Sequence, residues 1–179
     1  MNKTFPALCG FLILSAFLLA GCTGNNNSAQ IEANGISKLA LTEQDAGIRI
    51  SETKQISETV AGGKGLTIQF DKPNSNIVVL QIILNYSDSS EAKKAYEGDK
   101  TESMSSDGAK EFAISPIGEG SFAIGKSQQV PNTDKILAAY AVTFLKGSIK
   151  ELVMIRGFTT EITQKDAEEL AKKAAAKIK

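Results

Sequence analysis

The segment Ile77 to Leu84, which reads IVVLQIIL, constrains the fold of this chain more than any other stretch beyond its N-terminal apolar run. It is short and rich in β-branched residues, and only Gln81 interrupts it. A continuous apolar run of this length is typical of a strand that is covered on both faces. The rest of the chain must therefore supply cover for both sides of a sheet.

Two segments with helical spacing of apolar residues are the candidates for that cover. The first begins at a capping sequence, Asp88 to Glu91, and is expected to weaken after Gly98, with a loop over 101–108. The second begins at Thr163 and has acids in its first turns and lysines in its last, as the helix dipole favours. Its apolar stripe indicates packing against a sheet and comprises Ala167, Leu170, Ala171, Ala174 and Ile178.

Alternating patterns predict strands elsewhere. Residues 36–41 are expected to open the fold as a strand, followed by one helical turn after Thr42. Residues 135–145 and 149–156 form the clearest hairpin, and 111–115 and 121–125 are predicted as two short strands. Together these patterns predict one α+β domain over residues 36–179. Its single, largely antiparallel sheet would carry one or two packed helices, including a C-terminal helix.

The N-terminus consists of a cation, Lys3, followed by a 14-residue apolar run from Ala7 to Ala20. A membrane-spanning helix needs about 20 residues, so the run favours a cleaved secretory signal over an uncleaved helix. The run ends in Leu19-Ala20-Gly21-Cys22, which resembles the lipobox of prokaryotic lipoproteins. That resemblance implies a signal peptide over residues 1–21 and acyl chains, such as palmitate, on Cys22. It also implies a lipid anchor in the cell membrane on its extracytoplasmic face.

Processing at this site would leave a chain that is long enough for one domain and has little net charge. Lys3 is the only charged residue of the signal, so a formal charge of 0 becomes −1, which argues against a nucleic-acid partner. Cys9 would be removed and Cys22 lipidated, which excludes a disulfide. Residues 22–35 are expected to be a flexible tether. Asn26 and Asn85 fit the N-glycosylation pattern, which matters only in a cell that glycosylates exported proteins.

The residue inventory argues against catalysis. The chain has no histidine, which removes Ser-His-Asp and Cys-His mechanisms and the usual zinc ligand. Two S-x-x-K matches start at Ser51 and Ser90, but the companion sequences of penicillin-recognising enzymes are missing. The sequence 62–65 lacks the spacing of a phosphate-binding loop and is interpreted as a turn. We therefore expect no catalytic residues and no cofactor.

Two further clusters are interpreted as structural. Four acids around the loop after the first helix could offer oxygen ligands to calcium, but their order does not match a calcium loop, so a solvated charged loop without a metal is favoured. Three tyrosines could line a ligand pocket, but packing at the core or rim is the default interpretation. The acids are Glu97, Asp99, Glu102 and Asp107, and the tyrosines are Tyr86, Tyr96 and Tyr140.

From Ile77 onward, the order of elements resembles two kinds of exported domain. The chain has a strand, a helix, a Gly-rich turn at 117–121, a hairpin bent at 145–147 and a helix starting near Asp166. This layout is similar to PsbP-like domains and to extracellular sensor domains of bacterial kinases and lipoproteins. With the lipobox, it predicts a membrane-anchored, non-catalytic module that binds a solute or an envelope protein. The alternative is a structural or assembly factor that docks on a membrane complex.

Overall fold

The computed structural model describes residues 35–56 and 62–179. The expected signal segment 1–21, Cys22, and the tether up to residue 34 therefore lie outside the described residues. Helices α1, α2 and α3 span Glu43–Ala46, Ser89–Ser105 and Gln164–Lys177, and a 3₁₀ helix spans Ile36–Leu39. Strands β1 to β7 span Arg49–Ile56, Lys64–Asp71, Val78–Asn85, Lys110–Glu111, Gly120–Gln129, Ile136–Lys146 and Ile149–Phe158.

All seven strands lie in one sheet in the order β1-β2-β3-β7-β6-β5-β4, and every neighbouring pair is antiparallel. This architecture, with the C-terminal helix α3 packed on the sheet, confirms the predicted α+β class. The predicted hairpin is β6–β7, whose turn at Gly147 has a φ of 60°. Strand β3 lies inside the sheet between β2 and β7, as its apolar sequence requires.

The sheet separates two apolar clusters, one beneath each long helix. One cluster includes Val79 and Ile83 of β3 together with Leu170 and Ala171 of α3. The other includes the alternate β3 residues Leu80, Ile82 and Leu84 together with α2 residues. Because successive strand residues point to opposite faces, the apolar run of β3 on either side of Gln81 supplies both clusters. The predicted packing role of the tyrosines is confirmed, since Tyr86 and Tyr96 are buried and Tyr140 packs against the α3-side cluster.

The first long helix, α2, does not weaken after Gly98, so the loop predicted over residues 101–108 is wrong for most of its length. The helix continues to Ser105. Within this stretch the Thr101 hydroxyl donates to the Glu97 carbonyl at 2.9 Å, and Asp99 forms an ion pair with Lys150 of β7. A tertiary contact thus anchors the helix beyond its glycine, where helix propensity alone predicts fraying.

Two predicted strands are also corrected. Residues 36–41 form a 3₁₀ turn and a short extended link instead of a strand, because Gly35 starts the turn in the left-handed conformation. Leu41 then enters the core beside β3, where its N–H donates to Gln81 Oε1 at 2.7 Å. The strand predicted over 111–115 is only the two-residue β4. The chain leaves the sheet there, and the Ser115 N–H donates to Glu168 of α3 at 3.1 Å.

None of the helices within residues 35–56 and 62–179 has the length and apolar character needed to cross a bilayer.

Candidate functional site

A cleft of about 250 Å³ lies beside the N-terminal half of α3 and is the candidate binding site. One wall is the end of α1 with the turn that follows it, from Asp45 to Ile48. The opposite wall is the α3 surface from Asp166 to Lys173. Lys72, after β2, and Glu161, before α3, lie at the rim.

Two capping boxes and two lysines fix these walls. Thr42 and Asp45 cap α1, and Thr163 and Asp166 cap α3 in the same reciprocal way. Lys177 Nζ lies 2.8 Å from Asp45 Oδ2. The ion-paired hydrogen bond from Lys177, helped by the Thr42 N–H, lowers the pKa of Asp45 to about 2. Asp45 is therefore ionised at neutral pH, and its contacts hold α1 against α3.

A second lysine strengthens the same wall. Lys173 Nζ donates to the Asp45 backbone carbonyl at 2.7 Å, although Asp45 and Lys173 are 128 residues apart in sequence. Both lysines lie on α3, so this single helix supplies one wall and holds the other in place. The spacing of the walls is thus fixed by α3.

The floor of the cleft is apolar and consists of Ile77, Ile155, Ile162 and Leu170. Gly157 of β7 makes this floor possible. A Cβ at residue 157 would lie 3.1 Å from Ile162 and 3.2 Å from Ile77, tighter than ordinary packing. The missing side chain lets the loop before α3 approach the sheet closely.

Charged groups surround this floor. The lining carboxylates are Asp45, Glu161, Asp166 and Glu169, and the lining ammonium groups are Lys72 and Lys173. An apolar floor with a few polar groups at its rim is the usual composition of a small-molecule site. Of the described residues that line the cleft, none is a serine, threonine, cysteine or tyrosine. The lining can bind and orient a solute through shape and charge.

The S-x-x-K matches of the sequence do not form serine–lysine dyads. The Ser51 hydroxyl donates to the Gln69 carbonyl at 3.1 Å, while Lys54 pairs with Glu52 at 2.8 Å. Ser90 lies in the first turn of α2, where its N–H donates to the capping carboxylate of Asp88. Both serines thus have structural contacts that the motif alone does not indicate.

The four acids considered as calcium ligands are also dispersed. Glu97, Asp99 and Glu102 lie on α2, and Asp107 follows it. Asp99 is engaged with Lys150, and within residues 35–56 and 62–179 no three carboxylates, cysteines or histidines are placed to hold a metal. Of the sequence 62–65, which was interpreted as a turn, Lys64 and Gly65 belong to strand β2, and the neighbouring residues 57–61 lie outside the described residues.

Sequence reasoning missed a buried polar pair on the α3 side of the sheet. Gln81 of β3 and Glu151 of β7 are both fully buried, and Gln81 Nε2 lies 3.3 Å from Glu151 Oε2. Burial raises the pKa of Glu151 to about 8, although Gln81 and the more distant charge of Lys177 oppose this shift. The signal was present in the sequence as a polar residue, Gln81 or Glu151, that shares a face of its strand with buried apolar residues.

The arrangement as a whole is that of an α+β domain whose antiparallel sheet is covered by one long helix on each face. No protein-family model matches the chain, and no curated protein matches its sequence. Among solved structures, it is similar to the extracellular domain of PknH from Mycobacterium tuberculosis, with a TM-score of 0.62. The similarity covers 80% of this chain and 94% of that domain at 10% sequence identity. It establishes a shared fold.

Proposed function

We propose that this protein is a lipid-anchored, extracytoplasmic and non-catalytic module that binds a small solute in the cleft beside α3. The observation that carries the proposal is the cleft itself, which joins an apolar floor to a charged rim. The extracellular location of the PknH domain that shares this fold supports an exported role.

The lipobox supports the anchored location. Leu19 to Cys22 ends an apolar run that is too short to span a bilayer, and an acylated Cys22 would hold the chain at the membrane surface. Twelve residues, 23–34, separate Cys22 from the first described residue. Fully extended, they would reach roughly 40 Å, enough to hold the domain clear of the lipid headgroups.

The alternative role as an assembly factor calls for a contiguous exposed apolar patch of several hundred square ångströms. The exposed large apolar residues of the described chain are Ile50, Met104 and Ile136. They belong to β1, α2 and β6, three separate elements. Single exposed apolar residues are normal on any protein, so this distribution favours the solute-binding role.

The test is native mass spectrometry of the full-length, processed protein extracted from its own membranes in mild detergent. We expect a retained small molecule whose mass is lost after denaturation. An Ile48→Trp variant, which fills the cleft from the α1 side, should lose this mass. The matched Ile136→Trp variant places the same ring on an exposed position of β6 outside the cleft lining and should keep it.

A stoichiometric protein partner in place of a small molecule would contradict the solute-binding role and favour the assembly factor. Retention of the solute by both tryptophan variants would show that binding occurs elsewhere. Turnover of the retained molecule by the purified protein would contradict the non-catalytic part of the proposal.

A further inference from the structure

Several charged groups in the lining of the cleft serve the protein's own contacts. Asp45 pairs with Lys177, and Asp166 accepts from the N–H of Thr163 as part of the α3 cap. Lys173 donates to the Asp45 carbonyl. These contacts hold the walls of the cleft, so a ligand that used the same groups would have to compete with them.

Lys72 and Glu161 have no such role. Both are exposed, and within residues 35–56 and 62–179 no hydrogen bond or ion pair involves the Lys72 ammonium. The Glu161 carboxylate accepts from the Ser75 hydroxyl at 3.4 Å, which is a long contact with a neutral donor. The other carboxylate of the lining, Glu169, already has the Lys165 ammonium at 3.7 Å. Lys72 and Glu161 thus offer a ligand one charge of each sign.

Two short turns place these charges above the apolar floor. In the first turn, the Lys72 N–H donates to the Ile77 carbonyl at 3.1 Å and closes the loop between β2 and β3. In the second, the N–H groups of Glu161 and Ile162 donate to the Phe158 carbonyl at 2.8 and 3.0 Å. Each charged residue therefore belongs to the same hydrogen-bonded turn as one isoleucine of the floor.

Gly157 lets the two turns lie close together. A Cβ at this position would lie 3.2 Å from Ile77 and 3.1 Å from Ile162, so both isoleucine side chains pack over the glycine. Ser75, which lies in the turn of Lys72, donates to Glu161 across the rim. An ammonium and a carboxylate thus flank one apolar floor, and the two are not ion-paired with each other.

This arrangement is complementary to a small zwitterion with an apolar body. A ligand that carries both a carboxylate and an ammonium can form a charge-assisted hydrogen bond with each rim group. Because the two rim groups lie on adjoining turns, the two charges of the ligand must also be close together. Clefts that hold drug-sized ligands enclose roughly 300–1,000 Å³, so a cleft of about 250 Å³ suits a smaller solute.

We propose that the solute is an α-amino acid with an aliphatic side chain, an inference that rests on the solute-binding function proposed above. Lys72 binds its carboxylate, Glu161 binds its ammonium group, and its side chain packs on Ile77 and Ile162. The hydrogen-bonded turns hold these groups in place before the solute arrives, which lowers the entropy cost of binding. A solute with one charge would leave the other rim group without a partner.

Isothermal titration calorimetry of the full-length, processed protein, extensively dialysed in mild detergent, tests the class of ligand. The probes are L-leucine, 3-methylbutylamine, which is leucine without its carboxylate, and 4-methylpentanoate, which is leucine without its ammonium group. We expect L-leucine to bind and each analogue to bind at least about tenfold more weakly, because each lacks one charge-assisted contact. Glycine, which has no side chain to cover the floor, should also bind at least about tenfold more weakly.

Two variants assign the charged groups of the ligand to the two rim residues. Lys72→Gln should weaken the binding of L-leucine and 4-methylpentanoate at least about tenfold and leave that of 3-methylbutylamine unchanged. Glu161→Gln should weaken L-leucine and 3-methylbutylamine to the same degree and leave 4-methylpentanoate unchanged. The matched controls, Lys93→Gln and Glu97→Gln, lie at exposed positions of α2 on the other face of the sheet and should bind every probe like the parent.

The outcomes separate this proposal from the solute-binding function. If either single-charge analogue binds as tightly as L-leucine, the zwitterion class is overturned, while solute binding in the cleft stands. If L-leucine binds equally well to both rim variants and the parent, the assignment of Lys72 and Glu161 is overturned. If L-leucine does not bind but the protein retains another small molecule from its own membranes, only the amino-acid class fails. If the protein neither binds L-leucine nor retains a solute, both proposals fail.

Discussion

At the residue scale, the most consequential group is the Glu151 carboxyl. It is fully buried between strands, its Oε2 accepts from Gln81, and its Oε1 has no hydrogen-bond partner. The same Gln81 accepts from the Leu41 N–H, so this pair links the entry of the N-terminal segment to the centre of the sheet. Its neutral form suits this environment, because an isolated buried carboxylate is costly.

The stability of the fold should therefore depend on the protonation of Glu151. Burial raises its pKa from 4.5 to about 8, so between these values the folded chain holds a proton that the unfolded chain releases. Its contribution is full below pH 4.5 and is lost as the pH rises towards 8. From pH 5 to pH 8.5, this group should lower the free energy of unfolding by roughly 4 kcal/mol.

A Glu151→Gln variant, which stays neutral, should lack this part of the pH dependence. Urea denaturation at the two pH values measures the difference. Glu169→Gln, at an exposed position of α3, is the control and should keep the parent's pH dependence. An unchanged pH dependence in Glu151→Gln would show that the carboxyl is not neutral in the folded protein.

The Asp99–Lys150 ion pair gives a second residue-scale prediction. The two side chains are 16% and 6% exposed, and the Lys150 ammonium lies 5.9 Å from the centre of the Tyr86 ring. Asp99→Ala removes the Asp99 carboxylate from beside a buried ammonium, which should cost roughly 2–4 kcal/mol of unfolding free energy. Glu102→Ala, at an exposed position of the same helix, should change it by less than about 0.5 kcal/mol.

An apolar replacement of both partners, Asp99→Leu with Lys150→Met, should remain within about 1 kcal/mol of the parent, because it leaves no buried charge. Chemical denaturation of the four proteins measures this. If the double variant is as unstable as Asp99→Ala, the ion pair stabilises the fold by more than the mutual neutralisation of two buried charges.

At the element scale, α3 organises the functional region. Its apolar stripe packs on β6 and β7, its N-terminal half forms one wall of the cleft, and its lysines hold α1 in place. Its start is specified locally, because Thr163 accepts from the Asp166 N–H and Asp166 accepts from the Thr163 N–H. The position of the cleft wall therefore depends on a helix whose first residue is set by a four-residue motif.

Loss of this cap should weaken both the fold and the cleft. Thr163→Ala should lower the free energy of unfolding by about 1 kcal/mol, since it removes the hydroxyl that accepts from the third helical N–H. Thr160→Ala, three residues earlier in an exposed turn, is the matched control and should have an effect within about 0.5 kcal/mol. Thermal unfolding followed by circular dichroism distinguishes the two, and equal effects would mean that the cap does not stabilise α3.

At the scale of the whole molecule, anchoring and folding should be separable. The described domain begins 13 residues after Cys22, and its two cores lie within residues 35–56 and 62–179. A Cys22→Ala variant should lose the lipid and its membrane attachment because the thiol that carries the acyl chains is gone.

Membrane fractionation and intact-mass measurement test this expectation. Cys9→Ala, which changes a cysteine inside the expected signal segment, should be lipidated and anchored like the parent. The Cys22→Ala and Cys9→Ala proteins should both unfold with the same transition as the parent, measured by circular dichroism. A Cys22→Ala protein that remains acylated and membrane-bound would refute the lipobox interpretation.

The amino-acid sequence alone determined the elements whose signals are local. The apolar run of β3, the hairpin β6–β7, the capped turn α1 and the start of α3 are encoded by neighbouring residues, and each was predicted. The expected lipidation of Cys22 also rests on adjacent residues and stays a prediction. Local propensity failed where distant contacts decide, as in α2, which continues past Gly98 to the Asp99–Lys150 ion pair.

Only the tertiary structure decided the strand order, the two-sided cover of the sheet and the cleft. The cleft walls are joined by a lysine on α3 and a carboxylate on α1 that are 132 residues apart, and the buried pair joins residues 81 and 151. Such contacts form because the folded chain brings distant segments together, and the Gln81–Glu151 pair lies in the buried interior, where a polar group must find a partner. The sequence contains these residues, but only their arrangement in space makes them a site.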